Sequence, residues 1–205
     1  MNTLVIMGSY RKGKTIDTLL DKAIQGVRAI QPDGTIEKIT LSEKRIDYCR
    51  NCMKCRNDHS ASPISACIIE DDMQAIYPML VEADTFILGT PINFGHETAL
   101  MKTFIERLAY VFARSNPRSF PVRNVPEPRL KGHTKKAIII VSTGAVPPMF
   151  RMFCDAATPL LRDVCRTCLN AKVVGSLYAG AVEKRGLKDY LDKAYKLGQK
   201  LATSH

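Results

Sequence analysis

The sequence predicts an α/β fold: a three-layer sandwich with a five-stranded parallel sheet, order 2-1-3-4-5, between helices. Three observations lead there. Five short apolar stretches alternate with five helical ones, the pattern of repeated strand–helix–strand units. Three of those stretches, 4–7, 85–89 and 137–141, are almost continuously apolar, as strands covered on both faces are. The loops after the first, third and fourth strands carry glycine, hydroxyl and aromatic residues, at the sheet end where this topology binds ligands.

Leu4, Val5, Ile6 and Met7 make the first strand. Helix one covers 16–30, with Ile16, Leu19, Leu20, Ala23, Ile24, Val27 and Ile30 on one face at helical spacing. Pro32-Asp33-Gly34 is a turn, because proline and glycine there favour one. Residues 35–41 alternate apolar and polar and form strand two. A cysteine-rich loop, 49–67, follows, and Asp71-Asp72 caps helix two over 73–82, as acidic residues do before a helical run. Strand three is 85–89, and 90–95 is the loop at its carboxyl end. Helix three spans 98–113, with Leu100, Met101, Phe104, Ile105, Leu108 and Phe112 inward. Residues 115–132 lack periodicity and carry Pro117, Pro121, Pro126 and Pro128; a loop this long is usually functional or disordered. Strand four is 137–141, helix four 150–169 with a break at Pro159, and strand five 173–178. The last helix, 186–202, turns Leu187, Leu191, Ala194, Tyr195, Gly198 and Leu201 inward.

The chain of 205 residues reads as one domain over 1–205, long enough to bury roughly 70% of its unfolded surface. No apolar run approaches the ~20 residues of a membrane span and no basic leader is visible, so the expectation is a cytoplasmic protein without membrane contact. The net charge of +10 is spread along the chain without interleaved aromatics, which favours anionic small molecules over nucleic acid. Seven cysteines, an odd number without a secretion signal, argue against a disulfide framework. Four of them fall between 49 and 67 and point to metal or redox chemistry.

Gly8-Ser9-Tyr10-Arg11-Lys12-Gly13-Lys14-Thr15 sits between a strand and a helix, where loop N–H groups and the helix dipole catch a phosphate. Ser9 and Thr15 add hydroxyls; Arg11, Lys12 and Lys14 add cations. The loop also matches the triphosphate-binding pattern G-x-x-x-x-G-K-[ST]. That chemistry needs an acidic residue after an apolar strand to help hold magnesium. Here the candidate strands run into Gly89-Thr90-Pro91 and Ser142-Thr143-Gly144. A basic surface turn is the plain alternative. Pro91-Ile92-Asn93-Phe94-Gly95 suits a flat ring, which needs backbone polar groups at one edge and apolar contact along its body. Against that stand Pro91 and Gly95 as simple turn formers and Phe94 as a core residue.

Gly8-Ser9-x-Arg11, Cys49-x2-Cys52-x2-Cys55, Asp71-Asp72-Met73 and Ala83-Asp84…Gly89-Thr90-Pro91-Ile92-x-Phe94-Gly95 occur in this order. Over residues 3–112 they resemble the NADPH-dependent FMN reductase-like family of the flavodoxin-like superfamily, and most of all its iron–sulfur flavoproteins. The resemblance implies an FMN-dependent oxidoreductase or electron-transfer flavoprotein, linked to NAD(P)H or ferredoxin, that delivers electrons to ferredoxin or a small-molecule acceptor and forms a homodimer or homotetramer. It implies that Ser9, Arg11 and Thr15 hold the FMN phosphate and that Pro91, Ile92, Asn93, Phe94 and Gly95 lie along the ring. Ser142, Thr143 and Gly144 close the far side by topology. Lys14 departs from the family's small polar residue; it either reaches the phosphate or faces solvent. The alternatives are an NAD(P)H-dependent flavin or quinone reductase without a cluster and, more distantly, a P-loop nucleotide-binding protein. No side-chain acid or base is required, and none is named as catalytic.

Cys49, Cys52 and Cys55 bring three thiols into about two turns of chain, and Cys67 follows after eleven intervening residues. Four cysteines and a tight C-x2-C-x2-C run suit a [4Fe–4S] cluster. Zinc more often takes two separated C-x2-C units, and unliganded thiols are the third reading. The gap to Cys67 exceeds that of the iron–sulfur flavoproteins, but a polar loop bends back at little extra entropy cost. His59 is either a substitute ligand or solvated. Cys165 and Cys168 share a helix face and read, with Cys154, as apolar packing. Arg114, Arg118, Arg123 and Arg129 sit in or beside the proline-rich loop, facing NADPH phosphates, a partner subunit or solvent. His96 either lies near the flavin or starts helix three.

Overall fold

The apolar runs become strands, and amphipathic stretches between them become the covering helices. The computed structural model describes residues 1–119, 121 and 125–203. In chain order the elements are β1 (Asn2–Met7), α1 (Thr15–Ile30), β2 (Thr35–Thr40), a 3-10 turn (Leu41–Glu43), α2 (Met73–Glu82), β3 (Thr85–Pro91), α3 (Ala99–Phe112), β4 (Ala113–Asn116), β5 (Val125–Pro128), β6 (Lys135–Ser142), a 3-10 helix (Pro148–Phe153), α4 (Ala157–Thr167), β7 (Ala171–Ala179), α5 (Val182–Arg185) and α6 (Lys188–Thr203). The main sheet has the order β2-β1-β3-β6-β7 and all its pairings are parallel. Counted within that sheet, this is the expected 2-1-3-4-5.

Two cores flank the sheet. One packs α2, α3 and α4 against residues such as Ile6, Phe86 and Ile139. The other packs α1 and α6 against Val5, Ile87 and Ile140. Successive strand residues point to opposite faces, which is why these runs are apolar throughout. Two glycines let α1 and α6 touch backbone to backbone. A Cβ on Gly26 would lie 2.0 Å from the Tyr195 carbonyl oxygen, and one on Gly198 would lie 2.0 Å from that of Ala23.

Several expectations are corrected. Ile30 ends α1 exposed. Thr90 and Pro91 belong to β3 and not to the loop after it. Asp72 stands at the start of α2 but makes no capping bond; its carboxylate accepts from the Arg45 N–H. The break in helix four falls before Ala157, where Asp155 accepts from the Thr158 N–H at 2.8 Å. Pro159 lies in the first turn of α4, where it has no intrahelical N–H bond to lose. The last helical stretch is likewise divided, into α5 and α6. Part of the proline-rich segment is an antiparallel ribbon, with Ala113 opposite Pro128 and Asn116 opposite Val125. Prolines hide such a strand from sequence reading, yet a two-stranded edge tolerates their missing N–H. Arg123 lies outside the described residues. Among the described residues no helix is long and apolar enough to cross a membrane.

Candidate functional site

The register of the sheet gathers the three loops. Met7 of β1 is level with Gly89 of β3, and Pro91 of β3 with Ser142 of β6, so the three strands end side by side. Hydrogen bonds then tie loop to loop. The Gly8 N–H donates to the Gly89 carbonyl at 2.7 Å and the Ile92 N–H to that of Ser142 at 2.8 Å. Thr98, which caps α3 by accepting from the Met101 N–H, donates its hydroxyl to the Gly8 carbonyl at 2.6 Å.

The first loop is a cradle of open backbone donors. Among the described residues the N–H groups of Ser9, Tyr10, Lys12 and Lys14 have no acceptor, and α1 begins at Thr15 with its positive dipole end facing the loop. Ser9 is buried and its Oγ accepts from the Arg11 N–H at 3.2 Å. Arg11 and Lys14 are exposed, with no ion pair among the described residues. Lys12 is held by Glu43 at 2.5 Å. One residue escaped sequence reading: Asp17, buried under the loop, accepts from the Gly13 N–H at 2.5 Å and pairs with Lys38. Burial alone would raise the Asp17 pKa, but the Gly13 N–H and Lys38 outweigh it and hold the carboxyl below its usual range.

The second loop is a tight turn. Asn93 and His96 exchange backbone hydrogen bonds at 2.8 and 3.1 Å, with Phe94 and Gly95 at positive φ between them. Pro91 and Ile92 are half-buried, and Asn93 is exposed. The Phe94 ring is fully exposed, so it is no core residue. His96 lies within the turn and does not start α3, whose cap is Thr98. From the third loop, Ser142 and Thr143 are buried and Gly144 abuts the Glu183 carboxylate. The Thr143 hydroxyl meets Tyr178 Oη at 3.2 Å, and Cys154 Sγ lies 3.3 Å from the same oxygen. Cys154 is thus partly buried and packed against the core, as expected, with a polar contact to Tyr178 as well. Burial first, then Cys154, push the Tyr178 hydroxyl up to about 12. Beside this turn, the Ala156 N–H donates to the Gly95 carbonyl, and Met149, Phe150, Met152 and Phe153 stand exposed.

The cysteines form a second centre. Cys49, Cys52, Cys55 and Cys67 line one pocket with Arg50, Arg56 and Arg107. Asn51 and Met53 take left-handed conformations, which turn the loop sharply around it. Burial first, then Cys67, Cys49 and Cys52, push the Cys55 thiol up. The long gap to Cys67 closes through its own polar groups. Hydrogen bonds from the Ser65 hydroxyl and the Ser60 N–H hold the Asp58 carboxyl down, to about 2, and the Ser65 N–H donates to the Val111 carbonyl at 2.8 Å. His59 lines a neighbouring pocket with Arg114 and Arg118 and not the cysteine pocket. Among the described residues no group of three His, Cys, Asp or Glu side chains is placed to hold a metal ion.

Two arginines outside the expected site hold this centre. Arg129 is buried, not a solvated loop cation. It donates to the Cys55 carbonyl at 3.3 Å, to the Ala113 carbonyl at 3.2 Å and to the Asp58 carbonyl. Arg107 is buried in α3 and paired with Asp71. Its only signal in the sequence is a charge set among the inward residues of helix three. Cys165 and Cys168 are buried, as expected. Arg114 pairs with Glu127 at 2.8 Å.

A family model described as NADPH-dependent FMN reductase matches residues 1–186. An iron–sulfur flavoprotein of Archaeoglobus fulgidus is 33% identical over 109 residues, 53% of this chain and 46% of that one. Another, of Methanocaldococcus jannaschii, is 34% identical over 109 residues, 52% of this chain and 51% of that one. The matches thus span about half the length of these relatives. Among solved structures, an NAD(P)H:quinone oxidoreductase from Methanothermobacter marburgensis superposes with a TM-score of 0.72 over 100% of this chain and 98% of its own, at 16% identity. An FMN-dependent NADH-azoreductase from Bacillus anthracis in complex with FMN gives 0.67 over 98% and 97%, at 12% identity. At those identities the structures bear on fold alone.

Proposed function

The chain belongs to the NADPH-dependent FMN reductase family, and on that premise we propose that it is an FMN-dependent oxidoreductase whose 49–67 loop carries a [4Fe–4S] cluster. The observation that carries the flavin is the cradle of N–H groups at the first loop, unpaired among the described residues, beside two cations without an ion pair among those residues and level with the other two loops. A single phosphate fits there: Ser9, Thr15 and the loop N–H groups bind it, and Arg11 and Lys14 balance its charge. The turn Pro91–Gly95 lays backbone and ring atoms along the flat body, and Ser142, Thr143 and Gly144 bound the other side. Four cysteines on one pocket and the relatives' own name support the cluster. When bound, FMN takes a hydride and gives up electrons singly, which a cluster relays one at a time.

The reading extends to a cytoplasmic protein fed by NAD(P)H or ferredoxin and serving ferredoxin or a small acceptor. A homodimer or homotetramer covering the exposed Met149, Phe150, Met152 and Phe153 fits it, since contiguous exposed apolar residues mark interfaces. Anaerobic purification followed by an absorption spectrum and iron assay tests it. Flavin bands with a broad shoulder near ~400 nm and stoichiometric iron are expected, as cysteine-ligated clusters show. Flavin bands without iron after reconstitution leave a plain flavin reductase, and no affinity for added FMN overturns the reading altogether.

A further inference from the structure

Arg107 is a fully buried cation whose surroundings point at one of the cysteines. Its side chain and that of its partner Asp71 are both wholly inaccessible. The guanidinium is gripped as a fork: Nη1 donates to Asp71 Oδ2, and Nη2 to Asp71 Oδ1 at 3.1 Å. Nη1 also donates to the Asp47 carbonyl at 2.9 Å and Nη2 to that of Ile69 at 3.3 Å. The two Nη2 hydrogens are shared among three acceptors, the third being Cys67 Sγ at 3.5 Å. Nε, though buried, has no acceptor among the described residues. Burying such a pair is costly, and an apolar pair of the same size commonly stabilises a fold at least as well. Packing therefore does not account for it. What it achieves is a rigid N–H donor, fixed by Asp71, in the wall of the cysteine pocket.

Resting on the reading of that pocket as a cluster site, we propose that Arg107 is a positioning residue that donates a hydrogen bond to the Cys67 thiolate and thereby raises the reduction potential of the cluster. A cluster becomes more negative on reduction, so a fixed N–H donor and cationic group at a ligand sulfur stabilises the reduced form more than the oxidised one. Hydrogen bonds to the sulfurs and local charge are the protein's means of setting such potentials. Asp71 orients the donor and is not among the residues that line the pocket. Lysine in place of arginine keeps the charge and loses the fork.

The test compares wild type, Arg107→Lys, Arg107→Met and Asp71→Asn, each reconstituted anaerobically with iron and sulfide. Iron content, thermal melting and a redox titration followed through the cluster's own EPR signal are read for each. The expected result is stoichiometric iron in wild type and Arg107→Lys, with the Arg107→Lys potential lowered by about a tenfold change in the reduced-to-oxidised ratio at fixed potential, or about 59 mV for one electron. Arg107→Met shifts at least as far; in Asp71→Asn the loosened donor lowers the potential while the lost negative charge raises it, so its shift is smaller than that of Arg107→Lys. A purely structural role would lower melting or iron content and leave the potential of the remaining cluster where it was; that outcome overturns the assignment. Should Arg107→Met fail to fold, Arg107→Lys and Asp71→Asn carry the comparison. Wild type without iron overturns the cluster reading and this inference together, whereas iron with unmoved potentials overturns the inference alone.

Discussion

Arg11 and Thr98 show how much of the cradle depends on single side chains. Arg11 is exposed and free of ion pairs among the described residues, so its cation is available to a phosphate. A charge-assisted hydrogen bond contributes about 1.5–3 kcal/mol; Arg11→Ala should weaken FMN binding roughly 10- to 100-fold, measured by quenching of flavin fluorescence. Thr98 does two jobs, capping α3 and fixing the Gly8 carbonyl. Thr98→Val should cost about 1–2 kcal/mol in urea unfolding, the usual worth of a lost cap, and weaken FMN as well. Sequence reading singles out Arg11 because a cation after a strand announces itself. It misses Asp17 and Arg107, and leaves Arg129 among the loop cations, because their partners, Gly13, Asp71 and the Cys55 carbonyl, are chosen by folding. Asp71 was legible as an acidic residue before a helix, and its carboxylate does accept from the Met73 N–H, but two of its four hydrogen bonds among the described residues come from Arg107, 36 residues away.

Between α1 and α6 the contact is backbone against backbone. Gly26→Ala forces a methyl against the Tyr195 carbonyl, which neither helix can relieve without sliding. Overpacking of this kind costs about 1–3 kcal/mol, and the urea midpoint should fall with an unchanged slope. The amino end of α1 also carries a pH dependence. The Asp17 carboxyl is held below its ordinary 3.8 in the folded protein. Its stabilisation is therefore complete above the unfolded value and is lost as pH falls through the lowered folded one. Melting temperature measured from pH 6 down to 2 should drop less steeply below pH 4 in Asp17→Asn than in wild type. Of the elements, α2 and the five main strands were legible because each is an apolar run or a repeated period that fills a full element. The ribbon of β4 and β5 was not, since four-residue strands with two prolines carry almost no period.

Across the whole molecule the seven cysteines differ in exposure, with Cys55, Cys67 and Cys154 between the extremes. Cys49 and Cys52 are exposed at the pocket, whereas Cys165 and Cys168 are buried in the α4 core. Burial pushes the Cys165 thiol up to about 12 and that of Cys168 to about 11, and the thiolate is the reactive form. In metal-free folded protein at pH 8, iodoacetamide should label Cys49 and Cys52 and spare Cys165 and Cys168 until urea is added, as peptide mass spectrometry will show. Labelling of all of them at equal rates in the folded state would contradict the packing of α4. The same architecture sets the two centres on either side of α3: Thr98 at its start faces the cradle, and Arg107 near its end faces the cysteine pocket.

The sequence by itself determined the parallel sheet, its strand order and the three loops at one edge, because periodicity and glycine placement act over neighbouring residues and survive without a fold. It also determined which cysteines belong together, since three lie within one short run. Only the tertiary structure decided that Cys67 returns to that run, that Phe94 stands in solvent, and that two buried arginines hold the cysteine pocket. Those outcomes depend on contacts between residues far apart in the chain, and burying a charge leaves no local trace: its cost is met by a partner that only folding brings near.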